Sequence, residues 1–267
     1  MLKSFVTLQI ILMLPENHAC NARNPYPGTI YFEADHKENF YCDDVEVDYK
    51  GDDLTYETIL NILRGRYSNY FPNSKRLNAN EKTKIFIYMN GHGGENFFKI
   101  QDTEVLHSED FGKVFNEMNI KHLYSDILLI VDTCEAMTLF DQVNAPNILM
   151  IGSSILGEHA FSHQVDEKLN TYVNDKFTYY LFELMRSKNF NRKVRISDFP
   201  SLFPSSKLDS TLEIKNTYKV KTADQVYLHE YIPIDREDVI GGKGIDKNQE
   251  GLKFYDYSDF NENSFII

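Results

Sequence analysis

The chain has 267 residues, 42% of them hydrophobic, which is enough for one sizeable α/β domain and calls for no second core. A net charge of -12 and a sequence pI near 5.1 exclude a role built on phosphate-backbone binding, so nucleic acid is not an expected partner. Three cysteines (Cys20, Cys42 and Cys134) are too few and too scattered for a disulfide framework or a zinc site, and the odd count leaves at least one thiol free or available to a partner chain.

Taken in order, the first segment is ambiguous. Phe5–Leu14 reads as a buried strand, and the same run behind Lys3, with small residues near Ala19 to Ala22, also reads as a weak signal peptide. No later stretch approaches the ~18 to 20 apolar residues of a membrane span. Acidic residues crowd Asp43-Asp44-Val45-Glu46-Val47-Asp48 and recur at Asp52 and Asp53; a solvated loop and a cation site both fit them. Leu54 to Leu63 carries a helical apolar pattern that stops at Gly65. Lys84–Met89 is a continuous strand-like run ending in Asn90-Gly91-His92-Gly93-Gly94. Ser108 can cap an amphipathic helix with an acidic first turn and with Phe111, Val114, Phe115 and Met118 on one face. Ile127–Val131 is a second central-strand run and ends in Asp132-Thr133-Cys134-Glu135-Ala136; Asn147–Ile151 is another and ends in Gly152-Ser153-Ser154. Val173 to Leu184 predicts a further amphipathic helix. From about residue 205 the periodicity weakens and Gly241 to Glu250 is Gly- and charge-rich, so residues 1–204 are expected as the folded domain and 205–267 as a peripheral or partly disordered region.

Alternating strands and helices predict right-handed βαβ units and a mostly parallel sheet. In such sheets reactive groups gather outside the carboxyl ends of the strands. His92 and Cys134, each delivered at such an end, form a candidate imidazole–thiolate dyad: His92 as base, Cys134 as nucleophile, and the N–H groups of Gly93 and Cys134 as an oxyanion hole. This chemistry requires no cofactor. Singly, a buried Cys is more often an inert small hydrophobe and a His among glycines a turn residue; the pairing is what raises the dyad above that background. Asp132 either orients a loop or serves structure, with structure preferred. Ser153 and Ser154 can line a specificity pocket or form only a turn. His159 and His163 are placed near the cleft, and His107, His122 and His229 at the surface.

Several segments carry a more specific resemblance: Ala19-Cys20-Asn21-Ala22-Arg23-Asn24, Asp43 to Tyr49, Ser74-Lys75-Arg76-Leu77, Tyr88 to Gly94, Phe98-Lys99-Ile100-Gln101-Asp102 and Val131-Asp132-Thr133-Cys134, continuing through Gly152-Ser153-Ser154, Ser162-His163 and Phe177-Thr178-Tyr179-Tyr180. Over roughly residues 10 to 185 the chain resembles the catalytic subunits of glycosylphosphatidylinositol (GPI) transamidase, in the legumain-like branch of caspase-fold cysteine peptidases. The resemblance implies a three-layer sandwich about a mostly parallel sheet, with Cys134 as nucleophile and His92 as general base. It implies cleavage of a proprotein near its C-terminus, a thioester on Cys134, and transfer to the ethanolamine amine of a GPI lipid. It further implies a disulfide from Cys20 to a partner subunit in an oxidising lumen, and a structural calcium near Glu46 and Asp48, although Thr7 stands where a carboxylate is expected. The expected setting is a membrane complex of the endoplasmic reticulum, on its luminal side, held by the other transamidase subunits. Two departures accompany this. Phe5–Leu14 falls on the family's second strand, so the first is expected to be missing, as in a truncated or much reduced form. The family's C-terminal membrane helix has no counterpart here. The alternatives are a soluble legumain-like endopeptidase and a catalytically dead scaffold of the same fold.

Overall fold

The computed structural model describes residues 8–41, 45–187, 194–232 and 264–266. Cys42, Asp43, Asp44, Thr7 and the stretch Gly241 to Glu250, all singled out above, lie outside them. The strands are β1 (Leu8–Ile10), β2 (Met13–Leu14), β3 (Tyr49–Lys50), β4 (Lys84–Asn90), β5 (Gly93–Gly94), β6 (Phe97–Ile100), β7 (Glu104–His107), β8 (Asp126–Asp132), β9 (Ile148–Gly152), β10 (Ser162–Asp166), β11 (Thr171–Asp175), β12 (Glu213–Asn216) and β13 (Ser264–Ile266). The helices are α1 (Tyr56–Leu63), α2 (Ser108–Ile120), α3 (Lys176–Arg186), α4 (Phe199–Leu202) and α5 (Ser205–Leu208).

Six strands form the central sheet in the order β1-β13-β4-β8-β9-β12, parallel except for β12, which runs antiparallel to β9. The architecture is therefore the expected α/β one with a mostly parallel sheet. Every residue of β8 and β9 is buried, because helices cover both faces. The period of two divides their side chains between two cores. Ile85, Ile87, Ile127, Leu129, Val131, Ile148 and Met150 face α1 and α2, where Leu60, Leu63, Phe111, Val114 and Phe115 meet them. Phe86, Leu128, Ile130, Leu149 and Ile151 face Phe177 and Leu181 of α3 and a run of later residues on the other side.

Local chemistry sets the helix ends. Thr55 accepts from the Thr58 N–H at the start of α1, and Gly65, at φ +63°, follows its last turn. At α2 the cap is His107 rather than Ser108: the Asp110 carboxylate reaches back to the His107 N–H at 2.9 Å, and Ser108 is buried. Val173, read as helical, belongs to β11; α3 begins only after Asp175.

One expectation needs correction. Residues 205–232 are not peripheral: Leu208, Leu212, Val226, Leu228 and Tyr231 are buried in the second core, and β12 extends the sheet. Their apolar residues sit in short 3-10 turns and loops, which have no period to read. Between β1 and β4 the sheet holds β13 along part of its length, parallel to both neighbours. Unpaired backbone inside a sheet is costly, and an extended segment from the far end of the sequence relieves it there.

Candidate active site

β4 and β8 pair in parallel along their whole length, from Lys84↔Asp126 to Asn90↔Asp132. The pairing persists past the strand ends, where the Gly91 N–H donates to the Asp132 carbonyl at 3.2 Å. His92 and Cys134 each lie two residues beyond the last paired residues, Asn90 and Asp132. A Cβ built on Gly93 would lie 2.6 Å from Thr133 Oγ1 and 2.8 Å from the Phe97 carbonyl, so the turn bearing His92 presses directly on the residue before Cys134. His92 is exposed and Cys134 half-buried with a free thiol, so both are within reach of a ligand.

The backbone around the pair is specifically held. The His92 carbonyl accepts from the Lys99 N–H at 2.8 Å, which makes His92 and Lys99 a hydrogen-bonded pair of the β5–β6 hairpin. The next pair, Gly93 and Phe98, is then of the non-hydrogen-bonded kind, and the Gly93 N–H turns away from β6. The Cys134 N–H has no hydrogen-bond partner among the described residues. Glu135, at φ +53°, donates its N–H to the Glu158 carbonyl at 3.0 Å and ties the turn after Cys134 to the loop that follows β9.

Ser153 and Ser154, expected at a pocket, are 1% and 0% exposed. The Ser154 hydroxyl donates to the Thr133 carbonyl at 2.6 Å and accepts from the Ala136 N–H at 3.1 Å, bracing the Cys134 turn from behind. The Ser153 carbonyl accepts from Ser210. As arranged here, neither side chain lines an open pocket. His163 packs against Tyr179 with centroids 4.3 Å apart and rings tilted, and burial holds its imidazole below the usual histidine value; His159, His107 and His122 are exposed, and His229 is half-buried.

A polar network joins β4, β8 and the start of α3, and single residues gave no sign of it. Asp132 Oδ2 accepts from the Thr178 N–H at 3.1 Å and the Thr178 hydroxyl at 2.7 Å. Asn90 Nδ2 donates to Asp175 Oδ2 at 2.9 Å and to Thr178 Oγ1 at 3.1 Å, and the Tyr88 hydroxyl meets Thr178 Oγ1 at 2.5 Å. Burial pushes the Asp132 carboxyl up against the opposing pull of Thr178. Asp132 therefore serves structure, as preferred. The only sequence signals were Asn90 beside Gly91-His92 and Thr178 within Phe177-Thr178-Tyr179-Tyr180.

Cys20 is exposed at the end of the 3-10 turn His18–Cys20, with its thiol free. The residues of the calcium expectation do not form a ligand set. Asp48 is buried and its Oδ2 accepts from the Leu12 N–H at 2.9 Å, while Glu46 points to solvent. No three His, Cys, Asp or Glu side chains converge among the described residues. The described part of the acidic segment thus does not fit a cation site, and no step below runs through one.

The sequence pattern of the Peptidase C13 family matches residues 3–228. The chain belongs to the peptidase C13 family. It is 37% identical over 223 residues to the GPI-anchor transamidase of Saccharomyces cerevisiae, covering 84% of this chain and 54% of that protein. It is 35% identical over 224 residues to the Schizosaccharomyces pombe GPI-anchor transamidase, covering 84% and 59%, and 37% identical over 202 residues to the Homo sapiens one, covering 76% and 51%. The chain spans about half the length of the curated relatives it matches. Among the described residues no helix is long and apolar enough to cross a membrane.

Proposed function

We propose that this C13-family chain is the catalytic subunit of a GPI transamidase. The observation that carries the reading is that β4 and β8, adjacent parallel strands, end level with each other just before His92 and Cys134. The relatives named GPI-anchor transamidase support the choice of substrate. His92 takes the thiol proton of Cys134, and the thiolate attacks the carbonyl carbon of the scissile peptide bond. The Gly93 and Cys134 N–H groups receive the oxyanion. As the tetrahedral intermediate collapses, the C–N bond breaks, His92 protonates the leaving amine, and the new carboxyl end remains on Cys134 as a thioester. The ethanolamine amine of the GPI lipid attacks next, gives its proton to His92, and releases the amide-linked product and the thiol. Water attack at that stage yields plain hydrolysis, so partner subunits that keep the site dry favour transfer.

The substrates are accordingly a proprotein with a C-terminal signal and a preassembled GPI lipid, within an endoplasmic reticulum membrane complex. Exposed Cys20 is assigned to a disulfide with a partner subunit, a bond that requires an oxidising compartment such as the lumen. The test is rescue of GPI attachment in cells depleted of their own catalytic subunit, scored as conversion of a reporter proprotein to its anchored form. The chain is expected to rescue and its Cys134→Ala variant to fail completely. Equal failure of both, with partners bound, sinks the catalytic reading in favour of a scaffold. Cleavage of short Asn-containing peptides by the isolated chain, without anchor transfer in cells, would mark a soluble endopeptidase instead.

A further inference from the structure

The turn after Cys134 is held by a side chain that the reaction above leaves without a role. Glu135, at φ +53°, lies in the left-handed region, which a residue with a Cβ adopts only when its surroundings hold it there. Its N–H donates to the Glu158 carbonyl at 3.0 Å. Glu158 is itself fixed through both backbone and side chain. Its N–H donates to the Ile155 carbonyl at 3.1 Å, closing a turn in the loop that follows β9. Its Oε2 accepts from the Thr211 N–H at 2.6 Å and from the Ile155 N–H at 3.3 Å, and its Oε1 accepts from the Thr211 hydroxyl at 2.8 Å. Burial alone would raise this carboxyl, but the bonds from Thr211 and Ile155 outweigh it and hold the group below the usual glutamate value. The carboxylate is therefore charged at neutral pH, and its hydrogen bonds are of the stronger, charge-assisted kind.

Thr211 is a firm anchor. Its neighbours Ser210 and Leu212 are buried; the Ser210 hydroxyl donates to the Ser153 carbonyl at 2.7 Å, and Leu212 belongs to the second core. Glu213, two residues on, pairs with Gly152 at the end of β9. Ser154 reaches the Thr133 carbonyl before Cys134 and the Ala136 and Met137 N–H groups after Glu135, so the residue between them is left to Glu158. We infer that Glu158 is a positioning residue for the nucleophile: gripped by Thr211, it holds Glu135 in its left-handed conformation and thereby sets where the Cys134 thiol and N–H stand. The inference rests on the reading of Cys134 as the nucleophile. It also gives residues 205–232 a part in the site, since the second core fixes Thr211, Thr211 fixes the Glu158 carboxylate, and the Glu158 carbonyl fixes the turn.

The test compares the full chain with its Glu158→Ala, Glu158→Gln and Thr211→Val variants at a temperature where melts show them folded. Two properties are read: hydrogen exchange of the Glu135 amide, and alkylation of Cys134 by iodoacetamide relative to exposed Cys20 in the same molecule. Glu158→Ala is expected to speed Glu135 exchange about tenfold or more. It should slow Cys134 alkylation about tenfold at pH 7 and move the alkylation curve to higher pH, as the thiol loses its placement beside His92. Glu158→Gln keeps an acceptor oxygen for the Thr211 N–H and should stay within about threefold of the parent in both properties. Thr211→Val removes the hydroxyl bond alone, so it should fall between these and add nothing when combined with Glu158→Ala. The Leu129 amide, inside the sheet, should not change. A Glu158 that serves stability alone would lower the melting temperature and leave both the Glu135 amide and the Cys134-to-Cys20 ratio at parent values, which overturns the proposal. So does a faster Glu135 amide with unchanged Cys134 reactivity. His92→Ala in the otherwise unaltered chain keeps the two readings apart: if Cys134 alkylation stays at the parent rate, the dyad fails, and the Glu158 variants still decide the role of Glu158.

Discussion

Gly93 joins the two halves of the site through the side chain it lacks. With Thr133 Oγ1 and the Phe97 carbonyl under 3 Å from any Cβ, Gly93→Ala must push the His92 turn away from Cys134. Misplacement of about 1 Å costs on the order of 100-fold in rate, so reporter conversion should fall at least that far. The melting temperature should drop by an amount equivalent to only about 1–3 kcal/mol. Asp132 carries a second prediction at this scale. Its carboxyl is raised above 3.8 by burial, so the folded state binds the proton more tightly than the unfolded chain does. That contribution favours folding below the unfolded value and is lost as pH rises through the folded one, leaving a buried charge that weakens the fold at neutral pH. Asp132→Asn keeps an acceptor for the Thr178 N–H and removes the charge. Thermal melts should place it above the parent at pH 7, with the gap shrinking towards pH 4. The two candidate residues stand out in the sequence because each follows a continuous apolar strand, His92 between glycines and Cys134 after Asp132-Thr133. Ser153 and Ser154 were misread because small polar residues at a strand end look alike whether they face a cleft or, like Ser154, turn inward to a backbone carbonyl. The Asn90–Thr178–Asp132 network joins residues far apart in sequence, and no local pattern announces it.

Among the elements, the β10–β11 hairpin is tied to a part of the chain distant in sequence. It is fastened to the loop of residues 26–41 by His36 Nε2 to Asp166 Oδ2 at 2.5 Å, by the Asn174 amide to the Phe32 carbonyl, and by the Ala34 N–H to Gln164. Phe32 also packs against Phe182 of α3, with the two rings tilted. Burial alone would raise Asp166, but the bond from His36 and those from the Lys168 and Leu169 N–H groups outweigh it and hold the carboxyl below 3.8. The stabilisation is therefore present above the unfolded value and disappears as pH falls through the folded one. Asp166→Ala should loosen the hairpin at neutral pH, as faster proteolytic cleavage within residues 162–175, and cost about 1–3 kcal/mol in the melt. Sequence periodicity located α1, α2 and the core of α3, but it drew Val173 into α3 because a spacing of four to Phe177 fits a helix as well as it fits a strand followed by one.

For the molecule as a whole, stability rests on a sheet sandwiched between two cores, and Leu129 sits in the middle of it with no exposed surface. Leu129→Ala should cost about 2–5 kcal/mol by chemical denaturation, more than any surface change described above. The parallel sheet could be read from its continuous apolar runs. The later half could not: residues 205–232 enter the second core through turns without a period, and the short β13 finds its place only when β1 and β4 already stand apart. The register between β4 and β8 has a further consequence for how such a chain can vary. His92 and Cys134 each follow one of two neighbouring strands that end level with each other, whatever the path of the chain between them. The crossover beyond β6, through β7 and α2, can therefore change in length at its loops and leave the level ends of β4 and β8 unchanged. A single residue added inside either strand would put the pair out of step. Drift in length should be tolerated in the connections and purged from those two seven-residue runs.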